Sequence, residues 1–221
     1  MKITNLEKNI GKFELYIDDL YIKPGKIHGI VGPNGCGKTV LLKMIMGIYE
    51  PDQGTINYDG LAKQEITMMS QRPYLMQTSV YKNLIYPLQI RNQVVEEDQI
   101  DGWLLRAGLL EQKKQYARSL SSGERQKLSF LRALIFRPKL VLIDETLSNL
   151  DAESEELFEN IILEIQEKEP ITWLIVNHQL DHIKQLCDEI HYMKKGRFIK
   201  HEIIKSGYDR DCQRKIKNST M

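Results

Sequence analysis

The chain has 221 residues, 42% hydrophobic and 28% charged, a make-up that fits a soluble globular protein and excludes a disordered or fibrous one. Its 31 basic and 30 acidic side chains nearly cancel to a formal charge of +1, so no global field marks nucleic acid as a partner. Cys36, Cys187 and Cys212 are too few and too widely spaced for a disulfide framework or a paired-cysteine zinc site, and they fit a reducing cytosol.

Charged Glu7 and Lys8 interrupt the N-terminus before any long apolar stretch, which is not the pattern of a signal peptide. The first predicted strand is residues 13–21, where apolar and polar side chains alternate. Pro24-Gly25 breaks the pattern, and a second strand follows at residues 27–31. A glycine-rich loop comes next. Beyond it Val40, Leu41, Leu42, Met44, Ile45 and Ile48 recur at helical spacing, closed by Gly47 and Pro51. Short strands are expected around Thr55-Ile56 and at residues 66–69, parted by the turn sequence Asn57-Tyr58-Asp59-Gly60. Residues 79–134 read as largely helical, with Ile100, Trp103, Leu104 and Ala107 on one face. After Pro138 the chain returns to alternation: an apolar strand at 140–143, a charged helix from about Glu153, a strand at 171–176 and a helix at 181–187. Strands alternating with helices imply an α/β fold with a parallel sheet. No apolar run approaches the roughly 20 residues of a membrane-spanning helix.

Two segments carry chemistry. Gly32-Pro33-Asn34-Gly35-Cys36-Gly37-Lys38-Thr39 matches G-x-x-x-x-G-K-[ST], with a strand before it and a helix after it, and Val40 just beyond is also expected at the nucleotide. Small residues there let backbone N–H groups converge on phosphate oxygens. Lys38 is expected at the β- and γ-phosphates of ATP, and the Thr39 hydroxyl in the coordination shell of Mg²⁺. Cys36 fits a small residue filling a tight turn. The second segment, Leu140-Val141-Leu142-Ile143-Asp144-Glu145, is an apolar strand ending in two carboxylates. Asp144 suits the Mg²⁺ shell, and Glu145 suits the orientation or deprotonation of an attacking water.

Between them, Leu120-Ser121-Ser122-Gly123-Glu124-Arg125-Gln126 is similar to the leucine-serine-glycine-glycine-glutamine signature of ATP-binding-cassette (ABC) ATPases. Ser122 replaces the first glycine and Glu124 the glutamine; Ser121, Ser122, Gly123 and Glu124 also read as a helix cap. Gln71 resembles the family's glutamine-loop residue, Ser148-Asn149-Leu150-Asp151 its dimer-closing loop, and His178 its switch histidine. Threonine and leucine at 146 and 147 stand where the family commonly has proline, and Ile10 stands where it stacks an aromatic ring on adenine; Phe13, Tyr16 or neither takes that part.

The resemblance implies a phosphate-loop NTPase core with a mainly parallel sheet, an N-terminal antiparallel β subdomain and a helical signature subdomain. It implies one domain over 1–221, with a helical insertion at about 72–137 and a flexible tail at 206–221. In such a protein Gln71 senses Mg²⁺, water and the membrane partner, and His178 bridges Glu145 and the γ-phosphate. ATP lies between two copies, the phosphate loop of one facing Ser121 to Glu124 of the other. The implied partners are a second copy, a separate transmembrane permease and, indirectly, a solute-binding protein. The implied location is cytoplasmic, at the inner face of the membrane. The segment from Gln71 to Leu75, with Ser79 to Leu84 and Tyr86-Pro87-Leu88, resembles the permease-facing region of bacterial tungstate and molybdate uptake ATPases. Export, lipoprotein release and a non-hydrolysing regulator are the alternatives, Glu145 arguing against the last; a phosphate-loop kinase would not need Ser121 to Glu124 or His178.

Overall fold

The computed structural model describes residues 1–71, 73–145, 151–177 and 180–204. The described elements run β1 (Lys2–Ile10), β2 (Phe13–Tyr21), β3 (Ile27–Val31), α1 (Lys38–Ile45), β4 (Gln53–Asn57), β5 (Ile66–Met69), α2 (Val80–Gln89), α3 (Glu97–Arg106) and α4 (Ser122–Leu134). They continue with β6 (Leu140–Asp144), α5 (Ala152–Lys168), β7 (Thr172–Val176), α6 (Leu180–Leu186), β8 (Glu189–Lys194) and β9 (Arg197–Ile203). No described helix is long and apolar enough to cross a membrane. Internal packing separates the chain into two units, Met1–Asn57 with the chain from Thr172 on, and Tyr58–Ile171.

The first unit holds two sheets. One is antiparallel, β2-β1-β4, paired from Lys2↔Tyr21 to Ile10↔Phe13 on one side of β1. On the other side the register shifts between Thr4 and Glu7, and Asn5 adopts φ 47° at that bulge. In the other sheet β3 lies between β7 and β8 and runs parallel to both, while β9 folds back antiparallel on β8. All five residues of β3 are buried, as are Trp173 to Val176 of β7. A strand covered on both faces needs a continuous apolar run rather than an alternating one, which these segments supply. Asp188 locks the base of this sheet, its Oδ2 accepting from the Ile27 N–H at 2.8 Å.

In the second unit β5 and β6 pair in parallel from Ile66↔Leu140 to Met69↔Ile143, and the helices pack among themselves. Leu128, Phe130, Leu131 and Leu134 form the buried stripe of α4, and Phe130 stacks on Phe158 of α5 at 4.0 Å between ring centroids. Of the face expected from Ile100, Trp103, Leu104 and Ala107, Trp103 is only half-buried and the other three are buried. The segment before α2 is tied down by fully buried Asn83. Its side chain accepts from the Met76 N–H at 2.8 Å and donates to the carbonyls of Met76 and Ser79.

The strands expected at 13–21, 27–31 and 66–69 occur at those residues. β1 and the β8–β9 hairpin go beyond the sequence expectation. The tail expected from 206 lies outside the described residues, as does Cys212.

Candidate functional site

β3 ends at Val31 and passes directly into the loop of residues 32–37, which opens α1. Pro33, Asn34 and Gly35 are exposed, while Cys36, Gly37 and Lys38 are buried, so one side of the loop faces out over a packed base. That base is built by β8: a Cβ on Gly32 would stand 2.2 Å from the Met193 carbonyl oxygen. The hairpin turn beyond β8 adds a hydrogen bond from the Gly196 N–H to the Cys36 carbonyl at 2.9 Å. Cys36 is a free thiol, 3% exposed, and fills the turn.

Gly35 and Gly37 hold φ of 77° and 110°, conformations that side-chain-bearing residues rarely adopt. Gly37 caps α1 with no side-chain acceptor for the helix's first N–H groups. The Lys38 ammonium folds back over the loop, donating to the carbonyls of Gly32 at 2.8 Å and Pro33 at 3.2 Å. Exposed left-handed backbone, an N-terminus without a side-chain cap and an ammonium at the centre of the turn make a donor set suited to phosphate. Phe13 of β2 packs beside this loop, its Cζ 2.8 Å from where a Gly37 Cβ would be. One face of the Tyr16 ring carries the Arg197 guanidinium at 4.5 Å, and Ile10 is 41% exposed.

In the second unit Asp144 is buried at the end of β6. Glu145 follows in a left-handed conformation, φ 50°, which turns the chain sharply as it leaves the strand. Gln71 is exposed just beyond β5. The Tyr74 carbonyl is held by Arg132 Nη2 at 2.5 Å, although the Tyr74 residue itself is 77% exposed.

Ser121 is the N-cap of α4. Its Oγ accepts from the Glu124 N–H at 3.2 Å while the Glu124 carboxylate accepts from the Ser121 N–H at 2.7 Å, a reciprocal capping box. The Ser121 N–H holds the Glu124 carboxyl below its ordinary range. Asp151 caps α5 in the same way, accepting from the Ser154 N–H at 2.8 Å and from the Ser154 hydroxyl, and these bonds lower its carboxyl pKa. The two caps are neighbours: a Cβ on Gly123 would lie 3.1 Å from Asp151 Oδ2, and Lys127 pairs with Glu153 at 3.2 Å. The fold thus brings Asp151 beside the consecutive residues Ser121, Ser122, Gly123 and Glu124. His178, Arg72 and residues 146–150 lie outside the described residues.

A profile of the ABC transporter family matches residues 17–148. The chain belongs to the ABC transporter family. It is therefore an ATP-binding subunit with ATPase activity. The tungstate uptake system ATP-binding protein TupC of Peptoclostridium acidaminophilum is 36% identical over 202 residues, covering 88% of this chain and 94% of the relative. The methionine import ATP-binding protein MetN of Protochlamydia amoebophila is 32% identical over 87% of this chain, which spans 61% of that relative's length. Among solved structures, cbiO1 from Clostridium perfringens, part of the ABC transporter complex cbiONQ, aligns with a TM-score of 0.77 at 27% identity over 97% of this chain and 93% of its own. The ATP-binding cassette MJ0796, in a dimeric structure bound to ADP and phosphate, shares the fold with a TM-score of 0.79 at 23% identity, covering 93% of this chain and 99% of its own.

Sequence reasoning missed the β8–β9 hairpin as a wall of the phosphate loop. The Lys195-Gly196 pair, a turn signal with left-handed backbone at both residues, was the available sign.

Proposed function

We propose that this chain energises solute uptake through a separate permease, pairing with a second copy around ATP and Mg²⁺, and that the solute is tungstate or a related oxyanion. The observation that carries the solute class is the 36% identity to the tungstate uptake subunit over 94% of that relative's length. The methionine relatives, at 32% identity, support methionine as the second reading.

In this reading the N–H groups of residues 34–39 and the Lys38 ammonium hold the β- and γ-phosphates. Lys38 leaves the Gly32 and Pro33 carbonyls to do so. Thr39, Asp144 and Gln71 are the residues that would hold Mg²⁺, which when bound draws charge from the phosphate oxygens. Glu145 orients the attacking water and accepts its proton. Its left-handed φ is a backbone outlier at the residue where a strand-end carboxylate must be aimed, and strain of that kind gathers at functional positions. Phe13, packed beside the loop, is the aromatic best placed among the described residues to meet the nucleoside. The partner subunit's Ser121 and Gly123, at a helix N-terminus, complete the γ-phosphate site. Asp151, beside Gly123, belongs to the closing face, and His178 to the γ-phosphate side. A surface groove of 590 Å³ beside α2, lined in part by Ser79, Tyr81, Glu97 and Lys113, suits a permease segment.

The test is reconstitution with the native permease in lipid and measurement of ATPase stimulation by its solute-binding protein. Loading with tungstate or molybdate is expected to stimulate hydrolysis. Stimulation by methionine alone would overturn the oxyanion assignment.

A further inference from the structure

A cluster of histidines lies in the first unit, apart from the phosphate loop's own residues. Its placement follows from strand register. Side chains two apart on a strand share a face, so Glu189 and His191 of β8 point the same way. The parallel register sets His28 of β3 opposite Glu189, and the antiparallel register sets His201 of β9 opposite His191. His28, Glu189 and His191 therefore bring one ligand atom each within 4.8 Å of one another, and His201 stands beside them on β9. His28 is fully buried, His191 and Glu189 are each 4% exposed, and the His201 side chain, at 46%, reaches the surface.

His28 Nε2 is 3.0 Å from the Lys23 carbonyl, which can only accept, so that nitrogen carries the proton and the Nδ1 lone pair faces inward. This is how a metal-binding imidazole is oriented by its outer partners. His28 Nδ1 lies 3.3 Å from His191 Nε2 and 3.9 Å from Glu189 Oε2. Two nitrogens bound to one tetrahedral zinc at about 2.0–2.1 Å each stand about 3.3 Å apart. His201 Nε2 is 2.9 Å from Glu189 Oε2, and the His201 and His191 rings stack at 4.7 Å. Lys23 occupies the other Glu189 oxygen at 2.8 Å.

We propose that His28, Glu189 and His191 form a binding site for a zinc-class divalent cation, with His201, hydrogen-bonded to Glu189, as the outer partner that orients the carboxylate. Two imidazoles and one carboxylate, with a fourth position left for water, form a donor set that suits zinc, with cobalt as its spectroscopic substitute. Bound metal would tie β3 and β8 together at the end of β3 opposite the phosphate loop.

The test uses the full chain, stripped with chelator, titrated with Zn²⁺ against a chromogenic competitor and with Co²⁺ by visible absorption. The expected result is one ion per chain, a tetrahedral Co²⁺ spectrum and a raised melting temperature. His191→Gln and His201→Ala are each expected to weaken binding by about tenfold or more, while His182→Gln leaves it unchanged. His201 is at the surface on an edge strand, so His201→Ala carries the test if His191→Gln fails to fold, with ATP binding as the check on folding. A wild-type chain that binds neither ion, or binding retained in both cluster variants, overturns the proposal. A loss confined to His182→Gln overturns it as well.

Discussion

Gly32 and Gly35 are both required by the phosphate loop, for different physical reasons that one pair of substitutions separates. Gly35 holds φ 77° with nothing within 4 Å of an added Cβ, so Gly35→Ala meets backbone strain alone. A left-handed alanine costs roughly 1–2 kcal/mol, and the loss of glycine's freedom in the unfolded chain returns about 0.4–1 kcal/mol. The expected net cost is about 1 kcal/mol. At Gly32 the added Cβ meets the Met193 carbonyl oxygen at 2.2 Å, where ordinary contact begins at 3.4 Å. The obstacle is backbone in a packed sheet and cannot rotate away. Overpacking of this kind costs about 1–3 kcal/mol, and the immobile neighbour puts Gly32→Ala near the top of that range. Urea unfolding without nucleotide reads both. Gly32→Ala is expected to lower the midpoint clearly more than Gly35→Ala, with unchanged slope. Equal midpoints, or a Gly32→Ala as stable as wild type, would refute the account of the loop's base.

Ser121→Ala should cost about 1 kcal/mol by stripping the α4 cap, and Ser121→Asn should recover most of it; hydrogen exchange at the start of α4 reports both. Because folding depresses the Glu124 carboxyl, its contribution is complete above the ordinary value of 4.5 and is lost as pH falls through the lower folded value. The wild-type urea midpoint should therefore fall more steeply below pH 4.5 than that of Glu124→Gln. Phe158→Ala removes a fully buried ring stacked on Phe130 and should cost about 3–5 kcal/mol by urea unfolding. Glu145→Gln should keep ATP binding while slowing hydrolysis by about 10²–10⁴-fold; undiminished turnover would remove Glu145 from the reaction.

The strands legible from sequence are those with clean signals. Phe13–Tyr21 alternates, Ile27–Val31 is bounded by Pro24-Gly25 and Gly32-Pro33, and Ile66–Met69 is a short run of strand-forming residues. β1 hid because the bulge at Asn5 puts buried Ile3 and Leu6 three residues apart, which breaks the period of two. The β8–β9 hairpin hid because β9 is an edge strand of mostly polar, exposed residues, and because Glu189 and His191 are polar groups buried against one another. In the site, motif spacing supplied residue types and order, including the reciprocal cap at Ser121 and Glu124. It could not supply the Met193 carbonyl behind Gly32 or the left-handed turn at Glu145, since both depend on backbone placement rather than on residue type.

The central claim is that each ATP site is shared between two copies. The most direct test mixes two inactive variants: Lys38→Ala, which disables the phosphate loop, and Ser121→Phe, which blocks the signature. A mixed dimer keeps one intact loop facing one intact signature, so the mixture is expected to regain hydrolysis that neither variant shows alone. If the mixture stays as inactive as its components while the two chains are shown to pair, the shared site is contradicted.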